Sequence, residues 1–166
     1  MAVVQRKVVV WGGIGVVVLA GAVAGGLLAA GGGGAAPRAR QYSASDACLL
    51  TDSHGVTGAQ AALVWAGMED ASLATRTKVT SLPVFGPATV ANAVPYVNSL
   101  VQRRCDVVLA VGDTQTAAVE QVAPRNPKVR FVVVGGGRAR RNVAVVSGSS
   151  GVRVAVAHVV RDATKM

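Results

Sequence analysis

Cys105-Asp106-Val107-Val108-Leu109-Ala110-Val111-Gly112-Asp113-Thr114 is the stretch that decides the fold. Five consecutive apolar residues after Asp106 leave no polar side to face water, so the strand Asp106 to Val111 is buried on both faces, as in a parallel sheet covered by helices. Gly112-Asp113 then turns the chain into a helix, Thr114 to Ala123, which Pro124 stops. The same alternation runs outward in both directions. Toward the N-terminus, Cys48 to Thr51 reads as a first strand and Gly58 to Leu73 as a helix, with Ala59, Ala62, Leu63 and Ala66 repeating at i, i+3, i+4 and i+7. Lys78 to Val84 is a second strand. Val90, Ala93, Val94, Val97, Leu100 and Val101 hold helical spacing, although Pro95 must kink that helix or begin it. Toward the C-terminus come the strands Val129 to Val134 and Val143 to Val146, then a closing helix, Gly151 to Thr164, with Arg153, His158, Arg161 and Asp162 as its polar side. Strands alternating with helices predict an α/β, flavodoxin-like parallel sheet of order 2-1-3-4-5 over 47–166, with no second domain.

The remaining composition narrows the function. With 166 residues, 51% hydrophobic and 15% charged, the chain has material for one core and is no disordered tract. Aromatic residues at 4% are too few for a platform on which bases or sugars stack. Arg6 and Lys7 precede Val8 to Ala30, a run without charge and long enough to span a bilayer as a helix. A cleavable signal peptide fits as well, with Ala22-Val23-Ala24 as the cleavage site. Residues 1–36 are therefore read as an anchor or signal plus a Gly-rich spacer, and the rest as extracytoplasmic: on the cell-membrane face, or secreted after cleavage. Gly12-Gly13-Ile14-Gly15 lies inside the apolar run and is a weak cofactor fingerprint. No cofactor is expected. From Pro37 onward, 15 basic and 8 acidic residues leave a net charge of +7. The basic residues read as scattered, which argues against nucleic acid as a partner.

In an exported chain, two cysteines have one pairing, if they can meet. Cys48 opens the first strand and Cys105 immediately precedes the third. In the order 2-1-3-4-5 these strands are parallel neighbours about 4.8 Å apart that start at the same edge, within reach of a disulfide. Two buried free thiols are the alternative. Two Cys and two distant His residues are too few for a metal site.

Local sequences add a resemblance. Ala47-Cys48-Leu49-Leu50-Thr51-Asp52-Ser53-His54-Gly55, Trp65-Ala66-Gly67-Met68, Cys105 to Gly112, and Val122-Ala123-Pro124-Arg125-Asn126-Pro127-Lys128-Val129-Arg130-Phe131, in that order, resemble the first lobe of the basic membrane protein family. These are substrate-binding proteins of bacterial ABC transporters, typified by purine-nucleoside receptors. The resemblance covers about residues 47 to 160 and implies one lobe of a periplasmic-binding-protein type 1 fold. The chain departs from the family where Val56-Thr57-Gly58-Ala59-Gln60 replaces an Asp-Lys-Ser-Phe-Asn stretch and Gly135 replaces an Asp. It also carries one lobe where the family closes two on the ligand.

Any site is expected at the carboxyl ends of the strands, where the first and third send their chains to opposite faces. Asp52, Ser53, His54 and Gly55 would line one side of that crevice, and Gly112, Asp113, Thr114 and Gln115 the other. Asp52 reads either as an acceptor for ligand hydroxyl or amino groups or as a cap for the following turn. His54 reads as a solvated loop residue in preference to a ligand. Thr114 is expected to cap the third helix, and Phe85 to pack in preference to stacking on a ligand ring.

Enzyme motifs are missing, and no catalytic residue is assigned. Asp52-Ser53-His54 are consecutive, so their side chains diverge and cannot form a triad among themselves. Gly135-Gly136-Gly137 follows a strand, but the next strand begins too soon to leave a helix for cradling phosphate. Arg138, Arg140 and Arg141 are expected to face solvent or anionic lipid. The sequence thus reads as an extracytoplasmic binding module that senses a small ligand or serves an ABC transporter permease. Its alternative is a membrane-anchored interaction or self-association domain that has lost the ligand.

Overall fold

The computed structural model describes residues 40–147 and 150–164. The apolar run at 8–30 and the spacer after it, with their reading as anchor or signal, lie outside the described residues. No helix among the described residues is long and apolar enough to cross a membrane.

Five strands, β1 (Asp46–Thr51), β2 (Lys78–Pro83), β3 (Val107–Val111), β4 (Arg130–Val134) and β5 (Val143–Val146), form one sheet. All neighbours are parallel and the order is β2-β1-β3-β4-β5, as expected from the sequence. The helices are α1 (Ala59–Thr75), α2 (Val90–Gln102), α3 (Asp113–Val122) and α4 (Val152–Ala163). Because strand side chains alternate between faces, each strand feeds two separate apolar layers. Cys48, Leu50, Val108, Ala110, Phe131 and Val133 pack under α2 and α3. Leu49, Val107, Leu109, Val132 and Val134 pack under α1 and α4. The central strand β3 is buried along its whole length, which its unbroken apolar run requires.

Two local expectations need correction, and one open alternative is decided. In α1 the buried stripe is Ala61, Val64, Met68 and Ala71, whereas Ala59, Ala62 and Leu63 are exposed. An Ala-rich helix carries two overlapping apolar stripes, and the one with the larger side chains and Gly67 goes inward. Gly67 permits this because a Cβ there would run into the Arg153 carbonyl oxygen of α4. Of the two places open to Pro95, the structure has it inside α2, at an exposed position, and not at the start. Thr114 does not cap α3, since the cap position falls on Gly112 and no side chain serves it.

The basic residues, scattered in sequence, are gathered in space. Parallel strands all begin at one edge of the sheet, and the helices that return the chain end there. Arg76 closes α1, Lys78 opens β2, Arg103 and Arg104 follow α2, and Arg125 follows α3. Lys128 and Arg130 lead into β4, Arg140 and Arg141 into β5, and Arg161 lies in the last turn of α4. Of the basic residues from Arg76 to Arg161, only Arg138 and Arg153 lie away from this amino edge.

Cys48 and Cys105 form a disulfide with a Cα–Cα distance of 6.0 Å, both buried under α2 and α3. Strand adjacency delivers the pair as expected, although β1 begins two residues before Cys48 and β3 two residues after Cys105.

Candidate ligand crevice at the carboxyl edge

At the ends of β1 and β3 the chain departs to opposite faces, into α1 and α3. The divergence opens a cavity of about 140 Å³ lined by Thr51, Asp52, Gly58, Ala59, Gln60, Ala61, Val111 and Gly112. Asp52 and Gly112 are where the sequence placed them. Ser53, His54, Gly55, Asp113 and Thr114 stand beside the cavity and do not line it.

Asp52 sits immediately after β1 and organises its own turn. Its Oδ1 accepts the His54 amide hydrogen at 2.9 Å, and its carbonyl accepts from the Gly55 amide at 3.1 Å. The capping reading is thereby met by one oxygen, while the residue still lines the cavity. The exposed His54 ring places Nδ1 3.4 Å from the same Oδ1, as a solvated loop histidine would. Thr57 donates to the His54 carbonyl at 2.7 Å and closes the loop ahead of α1.

Gly112 has φ 103° and ψ 151°, a backbone region open in practice to glycine alone. That conformation lets β3 turn directly into α3, with Asp113 in the first turn, where the helix dipole favours a carboxylate. A Cβ on Gly112 would lie 2.6 Å from Gln115 Oε1. Gln115 is only 5% exposed, on the stripe it shares with Ala118, Val119 and Val122, and its side-chain amide makes no hydrogen bond within the described residues. Since no sealed-off side-chain polar atom lacks a partner there, that amide keeps contact with solvent beside Gly112. From the opposite wall, Gln60 of α1 reaches across to Gly135 after β4, where a Cβ would meet its Nε2 at 2.8 Å. Gln60 was not singled out from the sequence. Its signal was a polar side chain in the first turn of a helix that leaves the switch point.

Phe85 overturns the expectation of packing. It is 60% exposed on the loop after β2 at the same edge. Its backbone is strapped in place, the Phe85 carbonyl accepting from Asn92 Nδ2 at 2.8 Å and from the Tyr96 hydroxyl at 3.4 Å. The crevice is therefore lined by one carboxylate and one side-chain amide, Asp52 and Gln60, with the Gln115 amide next to Gly112 outside the lining and an exposed ring at the same edge. Its enclosed volume falls below the 300–1,000 Å³ typical of sites that engulf a small organic ligand. Among the described residues, no group of three or more His, Cys, Asp or Glu stands together as a metal site. A larger cavity, about 400 Å³, lies at the opposite, amino edge.

No family model matches the chain, and no curated protein matches it. Solved structures share its fold. A fragment of a protein from Peptoclostridium difficile 630, described as a lipoprotein, superposes with a TM-score of 0.62 at 15% identity, over 72% of this chain and 98% of that one. An ABC transporter system solute-binding protein from Aeropyrum pernix K1 gives a TM-score of 0.49 at 21% identity, over 60% of this chain and 27% of the other. The chain thus spans about a quarter of that protein's length. These are likenesses of fold. What they show is the fold alone; solute binding and membership of the basic membrane protein family both belong with the proposals below.

Proposed function

We propose that the chain is an extracytoplasmic, membrane-associated binding module that holds a small polar ligand at the β1/β3 crevice without transforming it. The observation that carries this reading is the convergence of Asp52, Gln60 and Gly112 on one cavity at the switch point, with the unbonded Gln115 amide beside it. The Asp52 carboxylate accepts from ligand hydroxyl or amino groups, and the Gln60 amide offers both donors and an acceptor. The Phe85 ring, exposed on the loop after β2 at the same edge of the sheet, offers a stacking face for a ligand that extends beyond the cavity. A cavity of about 140 Å³ covers only part of a nucleoside-sized ligand, so the rest faces solvent or a second surface. That surface is a second copy, a separate chain or a transporter permease. Membership of the basic membrane protein family and service to an ABC transporter are the finer form of the same proposal.

Partial burial sets the expected affinity. A lone lobe leaves ligand groups in water, and the dissociation constant should be about 10 to 100 μM, near 6 kcal/mol. Thermal-shift screening of the full chain against nucleosides, nucleobases, sugars and amino acids should reveal the class, because ligand at 100 times its dissociation constant stabilises by about 2.7 kcal/mol. Calorimetric titration beside Asp52→Ala then locates the site. Submicromolar binding by a monomer, or binding indifferent to Asp52→Ala, would overturn the proposal.

A second reading, an interaction domain, is favoured by the exposed Leu63 and Leu73 on α1 and Val154 on α4. Self-association that weakens on Leu63→Ser or Val154→Ser, without ligand binding, would select it.

A further inference from the structure

We propose that the amino edge of the sheet is a docking surface for anionic phospholipid, whose headgroup phosphate enters the cavity between the starts of β3, β4 and β5. This inference is independent of the crevice reading, which concerns the opposite edge.

The cavity, about 400 Å³, is lined among others by Ser45, Asp106, Lys128, Arg130, Arg141 and Asn142. That volume is within the range of small-ligand sites. Three cations face it, and among the described residues none of the three is within ion-pair distance of a carboxylate. One carboxylate, Asp106, shares the lining with these three cations and opposes an anion there, so the lining carries a net positive charge. Asp106 Oδ2 accepts the Asp46 amide hydrogen at 2.9 Å. Thr164, at the end of α4, covers that helix's last carbonyls by donating to Val160 and Arg161 at 3.0 and 3.2 Å. Asn142 stiffens the rim, its Nδ2 donating to the carbonyls of Ala123, Asn126 and Val129 at 3.0, 3.1 and 3.3 Å.

A helix-dipole role accounts for Arg76, Arg103, Arg125 and Arg161, which lie at helix C-termini. It does not account for Lys128, Arg130 and Arg141, which lie where the chain enters strands. Guanidinium groups pair with phosphate oxygens bidentately, and the surrounding cations extend the field over a surface.

Charge alone would suit a nucleic acid too, but no aromatic ring lines the cavity to stack on a base. The route of the chain favours a bilayer. Ser45, on the cavity rim, follows Ala30, the last residue of the apolar run, by fifteen positions. If that run is held in a bilayer, the covalent length of fifteen residues keeps Ser45 within about 50 Å of it.

The test uses the full chain in nanodiscs of phosphatidylcholine, or of phosphatidylcholine mixed equally with phosphatidylglycerol. Hydrogen exchange is followed in peptides covering 125–131 and 139–143. The anionic discs should slow exchange there several-fold, high salt should reverse the effect, and Lys128→Ala/Arg130→Ala/Arg141→Ala should abolish it. Arg138→Ala should leave it in place, and the charge-retaining Arg130→Lys/Arg141→Lys should weaken it only in part, keeping the charge and losing the bidentate pairing. Should the triple variant fail to fold, Lys128→Ala alone should reduce the slowing. Equal exchange in both discs, or slowing that survives the triple variant, overturns the proposal. Equal slowing by inorganic phosphate in neutral discs assigns the cavity to a soluble phosphate and overturns the lipid source. Slowing by a uridine-rich oligonucleotide and not by phosphatidylglycerol overturns it in favour of nucleic acid.

Discussion

Gly67 of α1 lies so close to the Arg153 carbonyl of α4 that a methyl group on Gly67 would overlap that oxygen and press on Val156. The two helices cross where only hydrogen fits, and this approach covers β1, β3 and β4 on that face. Gly67→Ala improves helix propensity by up to about 1 kcal/mol but overpacks the crossing by about 1 to 3 kcal/mol. Urea unfolding should therefore show net destabilisation. A neutral or stabilising result would mean that the helices separate freely.

The same crossing carries a pH-dependent clasp. Arg153 Nε and a terminal guanidinium nitrogen donate to the two Asp70 carboxylate oxygens at 2.6 and 2.8 Å. Those hydrogen bonds hold the Asp70 pKa below the ordinary carboxylate value of 3.8, and the positive charges of Arg153 and Arg161 add to the effect. With the folded pKa depressed, the stabilisation is fully present above the unfolded value and is lost as pH falls through the lower folded one. Wild type should unfold at a higher temperature than Asp70→Asn near pH 7, and the gap should close below about pH 4. A gap that persists into strong acid would show that something other than ionisation of Asp70 is lost.

The Cys48–Cys105 bond joins residues 57 apart. On the chain-entropy relation, opening it should cost about 4 kcal/mol, less if the bond strains the sheet. Paired urea titrations of oxidised wild type and Cys48→Ser/Cys105→Ser measure this. A difference under about 1 kcal/mol would mean that the reduced unfolded chain is already compact.

Gly112→Ala should destabilise by about 1 to 3 kcal/mol, the cost of a non-glycine residue in that backbone region. Adding Gln115→Ala should recover the overlap with Oε1 but not the backbone strain. If the double variant regains wild-type stability, the backbone at residue 112 is not constrained.

How much of this was legible in advance depended on whether a feature is local. The apolar run Val107–Val111 can satisfy only a doubly covered strand, so the sheet, its order and the disulfide followed from it. Asp52 and Gly112 were legible because strand ends at a switch point are fixed by topology. The inward stripe of α1 was not, since Ala59, Ala62 and Leu63 match a helical period as well as Ala61, Val64 and Met68 do, and contact with α4 decides between them. Phe85 defeated its reading because hydrophobic character favours burial, while Asn92 anchors the loop backbone and leaves the ring outside. The basic edge was hidden for a different reason: pairs distant in sequence converge only once the strands lie parallel.

The order β2-β1-β3 has a consequence in time. Both edges of β1 need partners that do not exist when β1 emerges, one beginning at Lys78 and the other at Val107. At synthesis rates of about 5 to 20 residues per second, the wait for the second partner is about 3 to 12 s. Until then the β3-facing edge of Ala47–Leu50 has no partner, and Cys48 has no Cys105 to pair with. A chain with this topology depends on whatever shields its first strand during that interval, and its yield should follow the supply of such helpers more closely than the stability of the finished fold.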